Sequence, residues 1–484
     1  MSYRHSVITR RLARVFICVL ALAASAAAQF FETRGDIPVG GPPFEPESIA
    51  VGDFNGDGKL DLAAAPYLSS SQIVVFLGKG DGTFGQPAYY PVEDKPFSIA
   101  TADLNGDHIL DLVVANNLSA SVSVLPGNGD GTFQSAGNFP LNGEPVFVAI
   151  GDFNNDHIPD IVVADSPYIS VLLGNGDGTF GPAMDVPLSP QFPTAAAVGD
   201  FNHDGNLDIA ATSFYGSGGE VSILLGRGDG TFSAPLIYDV GLAMDFVATS
   251  DLNQDGNLDL VVVDSIGSTV SVMLGNGDGT FGAAEGYFVN FPLAVAVADL
   301  NDDGKQDVVA GSTLLVTGGA SVLLGKGDGT LRPPINYPVG KNSAWVAVGD
   351  FNGDRKPDIA VADSISSDIA VLLNTGVVSF SPTTPLEFPP QRIGTTSQPQ
   401  TVTLTNRGST SLVISATRVS GDFVLSSTCG VSVPPGGRCQ LKVRFQPKGT
   451  GLRRGLVSVV DSTSSQPQVV EVFGEGTNSA DDSK

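Results

Sequence analysis

The chain has 484 residues, with 59 Gly, 32 Pro and a hydrophobic share of 42%. Its 51 Asp and Glu outnumber 25 Lys and Arg, for a formal net charge of -26. That length exceeds one domain, the apolar content excludes global disorder, and the acidity argues against nucleic-acid and anionic-membrane partners.

The chain opens with Arg4, Arg10, Arg11 and Arg14, then an apolar run from Val15 to Ala28 that ends Ala26-Ala27-Ala28. A basic start, a short apolar middle and a small-residue end are the three parts of a secretory signal. Residues 1–28 are therefore expected to be a cleaved signal peptide, with an uncleaved anchor as the rival. The run is short for a bilayer span, and no second run of spanning length follows. The mature protein is expected to be exported, soluble and monomeric. Cleavage removes Cys18 and leaves Cys429 and Cys439, so a disulfide between these two is expected in an oxidising compartment.

Seven nine-residue copies follow: DFNGDGKLD at 53–61, DLNGDHILD at 103–111, DFNNDHIPD at 152–160, DFNHDGNLD at 200–208, DLNQDGNLD at 251–259, DLNDDGKQD at 299–307 and DFNGDRKPD at 350–358. A steady period near fifty residues marks stacked supersecondary units. Each copy sits between two short apolar runs rich in Val, Ile, Leu and Ala. A third run and a GxGDGTF turn follow, at 78–84, 127–133, 174–180, 226–232 and 275–281. A sixth turn ends in Leu331, and the seventh place, Asn374-Thr375-Gly376, lacks the pattern. A weaker fourth strand closes each unit, such as PAYYPV at 87–92. Four short strands per unit, seven times, predict a seven-bladed β-propeller over residues 29–376. The last unit lacks a fourth strand, and FETRGDIPV at 31–39 copies one, so the N-terminal strand is predicted to complete the last blade.

After residue 376 the period stops. Alternating strands such as QTVTLTN (400–406), QLKVRF (440–445) and QVVEVF (468–473) predict a small immunoglobulin-like β-sandwich over 377–477, with a disordered tail at 478–484. The fold class is thus all-β. Charge divides the two parts: residues 377–484 hold ten Lys/Arg against seven Asp/Glu, and residues 29–376 hold 11 against 44.

Within each nine-residue copy, positions 1, 5 and 9 are Asp and position 3 is Asn. The carbonyl of position 7 can join them. Oxygen-only, carboxylate-rich donors suit Ca²⁺. The candidate ligand sets are Asp53, Asn55, Asp57, Lys59 and Asp61; Asp103, Asn105, Asp107, Ile109 and Asp111; Asp152, Asn154, Asp156, Ile158 and Asp160; Asp200, Asn202, Asp204, Asn206 and Asp208; Asp251, Asn253, Asp255, Asn257 and Asp259; Asp299, Asn301, Asp303, Lys305 and Asp307; and Asp350, Asn352, Asp354, Lys356 and Asp358, position 7 acting through its carbonyl. An EF-hand is excluded, because position 12 is Ala or Val in every copy where that loop needs a bidentate Glu. The bland rival is turn chemistry, in which Asp, Asn and Gly only shape a bend. Seven bends holding three carboxylates each favour a cation, up to seven Ca²⁺ with a structural role. Position 6 needs positive φ, which suits Gly58, Gly205, Gly256 and Gly304 better than His108, His157 and Arg355. Sites two, three and seven are expected to be weaker.

These loops, with GDGTF turns and the Phe84-Gly85, Phe180-Gly181 and Phe281-Gly282 pairs, resemble the FG-GAP or VCBS repeats of integrin α-subunit propellers and many secreted bacterial proteins. The resemblance implies Ca²⁺ in strand-connecting loops on one face and ligands on the opposite face. GDFVLSSTCG (421–430), PPGGRCQLKVRFQP (434–447) and VVEVFGEG (469–476) are similar to immunoglobulin-like domains of the ASPM and Hydin type.

No catalytic constellation stands out. The three His left after signal removal, 108, 157 and 203, all lie in the Asp loops, so no Ser-His or Cys-His pair remains. The expected function is a secreted Ca²⁺-binding scaffold for extracellular protein or glycan recognition or adhesion. A lectin-like propeller is the alternative, and a polysaccharide-active lyase or glycosidase ranks below it. Trp345 and the tyrosines Tyr89, Tyr90, Tyr238, Tyr287 and Tyr337 are assigned to packing before ligand contact. The candidate ligand loops, which differ most among copies, are Phe214–Glu220 and Ser312–Gly319.

Overall fold

A computed structural model describes residues 31–39, 45–66, 71–188, 192–215, 218–301, 303–313, 319–374, 378–382, 386–406, 411–434, 436–461 and 468–478. The signal segment 1–28, the tail from 479 and parts of both candidate ligand loops lie outside these residues.

The described chain is all-β, and its repeated part forms four-stranded antiparallel sheets of the propeller kind. Sheet one is Pro46–Gly52, Asp61–Pro66, Gln72–Phe76 and Ala88–Pro91, in that order. Five more sheets repeat it, with first strands Pro96–Ala102, Glu144–Gly151, Pro193–Gly199, Met244–Ser250 and Pro292–Ala298. The seventh sheet takes Ser343–Gly349, Asp358–Asp363 and Asp368–Asn374 from the end of the period and Phe31–Pro38 from the chain's start. The N-terminal strand pairs antiparallel with Asp368–Asn374, from Phe31 opposite Asn374 to Pro38 opposite Asp368, as expected. It covers an edge that would otherwise expose unpaired backbone groups. The first strands of successive sheets pack in order, and Ser343–Gly349 packs on Pro46–Gly52, so the contacts run in a closed cycle.

The second and third strands explain the apolar runs. Asp111–Asn116 and Ser121–Leu125 are buried at every residue, because sheets pack on both of their faces. In every sheet the first–second pairing shifts register near its start, as between Pro145 and Phe147. Such a bulge bends the strand and re-aims the next side chain. In sheets three, five and seven that residue is Phe147, Phe246 and Trp345, and the three rings meet. Their centroids lie 5.6 Å apart for Phe147–Phe246, 5.9 Å for Phe147–Trp345 and 5.0 Å for Phe246–Trp345. Trp345 is thus a packing residue, as expected.

The C-terminal part is a sandwich. A four-stranded sheet runs Val378–Ser381, Gln400–Asn406, Arg438–Phe445, Phe423–Ser427, and a five-stranded sheet runs Leu386–Arg392, Gln468–Thr477, Gly451–Asp461, Leu412–Val419, Ser432–Val433. Leu404, Leu441, Val443, Phe445 and Val459 join in one core between them. Cys429 and Cys439 form the expected disulfide, with Cα atoms 4.9 Å apart.

Candidate functional site

Within a sheet, antiparallel order puts the nine-residue loops and the GxGDGT turns at one end of the strands. The second-to-third hairpins and the sheet-to-sheet crossovers lie at the other end.

The loops fold through their own side chains. In the first, Asp53 Oδ1 accepts the amide of Asp57 and Oδ2 that of Gly58. Asn55 Oδ1 also accepts from Asp57 N, and Asp57 Oδ1 accepts from Lys59 N. The same bonds recur in the other loops, as at Asp200, Asn202 and Asp204 or Asp350, Asn352 and Asp354. Position 6 has positive φ as expected, at 66° for His108 and His157 and 67° for Arg355. Position 4 does too, at Gly56, Gly106, Asn155, His203, Gln254 and Gly353.

Position 9 opens the second strand of each sheet. Asp61, Asp111, Asp160, Asp208, Asp259, Asp307 and Asp358 are fully buried. In the first six loops the carboxylate ties its loop to the next turn, and in the seventh Asp358 accepts from Asn374 N in its place. Asp61 Oδ2 accepts from Phe54 N at 2.9 Å, and Oδ1 accepts from Gly78 N at 2.7 Å. Burial pushes these carboxyls up, and the like charges at positions 1 and 5 add to it, while the two amide donors oppose it. Asp208 rises to about 6, and Asp307 and Asp358 to about 7.

Among the described residues, no three His, Cys, Asp or Glu side chains gather so as to hold a metal ion. Backbone amides take up the oxygens at positions 1, 5 and 9, and at position 3 in every loop but the sixth, which is the turn chemistry weighed as the rival reading. The donor chemistry still fits a hard cation, since each acceptor oxygen carries more than one lone pair. Asn301 Oδ1, at position 3 of loop six, is buried without a hydrogen-bond partner among the described residues. Basic residues sit close in four loops. Lys59 lies 2.9 Å from Asp57 and Lys356 3.8 Å from Asp354, and His108 and His157 lie 3.7 Å from Asp103 and Asp152.

Two sets of residues escaped the sequence reading. Position 4 links successive loops: Asn155 donates to Asn206 Oδ1, His203 Nε2 lies 2.9 Å from Asn257 Oδ1, and Gln254 donates to the Gly304 carbonyl. The signal was there, because position 4 is Gly in loops one, two and seven and a longer polar residue in these three. The GDGTF turns clasp the preceding sheet. Gly131, Gly230, Gly279 and Gly82 donate to the carbonyls of Phe54, Phe153, Phe201 and Phe351. The turn phenylalanines meet the same residues edge-on, as for Phe54–Phe133 at 5.5 Å and Phe84–Phe351 at 6.0 Å. Each turn Asp caps its bend through Thr, as Asp81 does for Thr83 N and Oγ1. Tyr90, Tyr238 and Tyr287 reach the next sheet's turn, so packing is their role. Where the seventh turn is lost, the Asn374 side chain donates to Leu300 O at 2.7 Å.

The opposite end differs in chemistry. Leu118, Phe192, Leu242, Ile266, Phe291 and Ile365 are exposed there, on hairpins and crossovers. None of the exposed large apolar side chains among the described residues lies on an Asp loop or a GxGDGT turn. Phe192 and Phe214 stack at 6.0 Å.

Several solved structures are similar to parts of this chain. BBS1N, crystallised in complex with ARL6DN, is 13% identical with a TM-score of 0.53, over 72% of this chain and 98% of its own. An Agrocybe aegerita lectin that recognises non-reducing terminal N-acetylglucosamine is 20% identical with a TM-score of 0.44, over 66% and 86%. A putative 6-phosphogluconolactonase from Bacteroides fragilis is 16% identical with a TM-score of 0.49, over 65% and 90%. No curated protein matches the chain. The model for the ASPM-SPD-2-Hydin domain matches residues 375–469. The model for the FG-GAP-like repeat matches residues 53–114, 103–163, 152–211, 251–310 and 299–361, more than half of the chain, and the protein belongs to the FG-GAP repeat family.

Proposed function

We propose that this protein is an exported recognition scaffold: a seven-bladed propeller, stiffened by Ca²⁺ in its Asp loops, whose opposite face binds an extracellular protein or glycan. The observation that carries it is the division of the two ends. One end is occupied by carboxylates already engaged in holding loops, turns and neighbouring sheets together. The other end exposes Leu118, Phe192, Leu242, Ile266, Phe291 and Ile365 on connections from several sheets. Apolar side chains gathered at one end favour a partner-binding role.

Bound Ca²⁺ would supply positive charge that offsets the like-charge repulsion in each loop. The side chains at positions 1, 3, 5 and 9 and the carbonyl at position 7 would hold it. Asp61 and its five counterparts in the sheets that keep the turn would join the cation to it, so that ion, loop and turn stiffen as a unit. The nearby ammonium groups of Lys59 and Lys356 would oppose binding in their loops. Glycan recognition draws support from the stacked Phe192–Phe214 pair, since sugars pack their apolar faces on aromatic rings. A glycan array and a cell-surface protein capture, each run with the native chain and with L242S/I266S/F291S, test the reading. Ligand capture is expected to fall at least tenfold in the variant at unchanged melting temperature. Equal capture by both proteins would move the site away from this face.

A further inference from the structure

We propose that the outer face of the sandwich's four-stranded sheet is a binding site for an anionic polysaccharide, one carrying sulfate or carboxylate groups along an extended chain. The strand Arg438–Phe445 alternates strictly. Cys439, Leu441, Val443 and Phe445 point into the core, and Arg438, Gln440, Lys442 and Arg444 point out and are exposed. Register sets what lies beside them. Thr405 is opposite Arg438, Thr403 is opposite Gln440, Thr401 and Ser426 flank Lys442, and Val424 is opposite Arg444. Ser381 extends the Thr403 row on the next strand.

The four strands contain no carboxylate. The described acids of this domain, Glu387, Asp422, Asp461, Glu471 and Glu475, all lie off these strands, and Asp422 is held by Arg453 at 2.7 Å. Among the described residues, none of Arg438, Lys442 and Arg444 forms a salt bridge. Arg444 donates to the Ser397 carbonyl at 3.0 Å, which orients its guanidinium without cancelling its charge.

Three uncancelled cations thus stand on one strand of a chain whose net charge is -26. Alternate residues on a strand stand roughly 7 Å apart, so the three span about 20 Å in a line. That geometry suits a charged polymer better than a single small anion. The hydroxyls and amide between the charges match a partner that is itself rich in hydroxyls. The described side chains of this face include no aromatic ring on which a nucleobase could stack. The acidic repeats do not forbid the contact, because at physiological ionic strength their field is screened beyond about 8 Å.

The test uses the full-length protein with Ca²⁺ present, immobilised heparin as probe and neutral dextran as control. Wild type is expected to bind heparin but not dextran, with the logarithm of the binding constant falling against the logarithm of salt with a slope of about -2. R438Q/K442Q/R444Q is expected to bind at least tenfold more weakly at an unchanged melting temperature. Equal binding by the triple variant, or binding insensitive to salt, would overturn the proposal. So would salt-reversible self-association lost in the variant without heparin binding by wild type, which would assign the face to the acidic repeats of a second copy.

Discussion

The repeated sheets and the sandwich reach stability by different routes. Each sheet of the repeat relies on small local devices, a buried Asp joining loop to turn and a Gly or Phe clasping the preceding sheet, and uses them again in the following unit. The sandwich has one core and one covalent cross-link. Their charges diverge as well, with 44 acids against 11 bases in residues 29–376 and seven against ten in residues 377–484. A ring of like units tolerates a large uniform charge when every unit neutralises or pins its own carboxylates. A single-core domain lacks that repetition and keeps its carboxylates few.

The comparison breaks most visibly if the ring is opened. Deleting residues 31–39 leaves the Asp368–Asn374 strand without its outer partner. The cooperative melt of the repeats is expected to disappear into aggregation in calorimetry, while Δ1–28 protein melts normally. Ca²⁺ removal comes next. With millimolar Ca²⁺ and site affinities of about 0.1–1 mM, each proposed site would contribute roughly 0.4–1.4 kcal/mol. Excess chelator should lower the melting temperature of the repeats by on the order of 10 °C and leave the sandwich transition in place. An unmoved first transition would remove the ion from the account.

The reverse selectivity is expected of C429S/C439S. Opening a cross-link of sequence separation 10 should cost the sandwich about 2–3 kcal/mol and leave the repeats unaltered, by denaturant titration of each transition. A smaller effect is expected from Asn374→Ala, which strips a donor from the buried carbonyls of Leu300 and Pro357 and should cost about 1–3 kcal/mol in the repeats alone.

The finest contrast is the response to acid, measured in chelator. Burial raises Asp363 to about 7 and Asp165 and Asp368 to about 6. A raised carboxyl contributes stability that is present below its unfolded value near 3.8 and lost as pH climbs through 6–7. The repeats should therefore melt higher at pH 5 than at pH 7.5. Asp422 in the sandwich is lowered, by the Lys448 amide first and the Arg453 side chain second. Its contribution is present above pH 4 and fades below it, so the sandwich should weaken only in stronger acid. Parallel pH profiles for the two transitions would contradict this assignment.

Much of this architecture was legible in the residues. The fifty-residue period, the missing fourth strand of the last unit and its copy at 31–39 together implied the closing strand, because an unpaired edge is costly. The positive φ at position 6 was legible for the same kind of local reason. What escaped depends on neighbours distant in sequence. Asp61 meets Gly78 N, and Asn155 meets Asn206 in the next loop. Loop spacing alone says that oxygens are near one another, but not which amides reach them first. The Asn374 substitution for a lost turn was equally hidden, since its acceptor Leu300 lies 74 residues away.

The ring cluster of Phe147, Phe246 and Trp345 has a practical consequence. Trp345 is the chain's only tryptophan, and its two neighbours come from sheets three and five. Its emission should therefore report on the assembled ring as a whole, with no extrinsic dye and no contribution from an indole in the sandwich. Any loosening of the circle that lets water reach that indole should shift its spectrum to the red before the strands themselves separate.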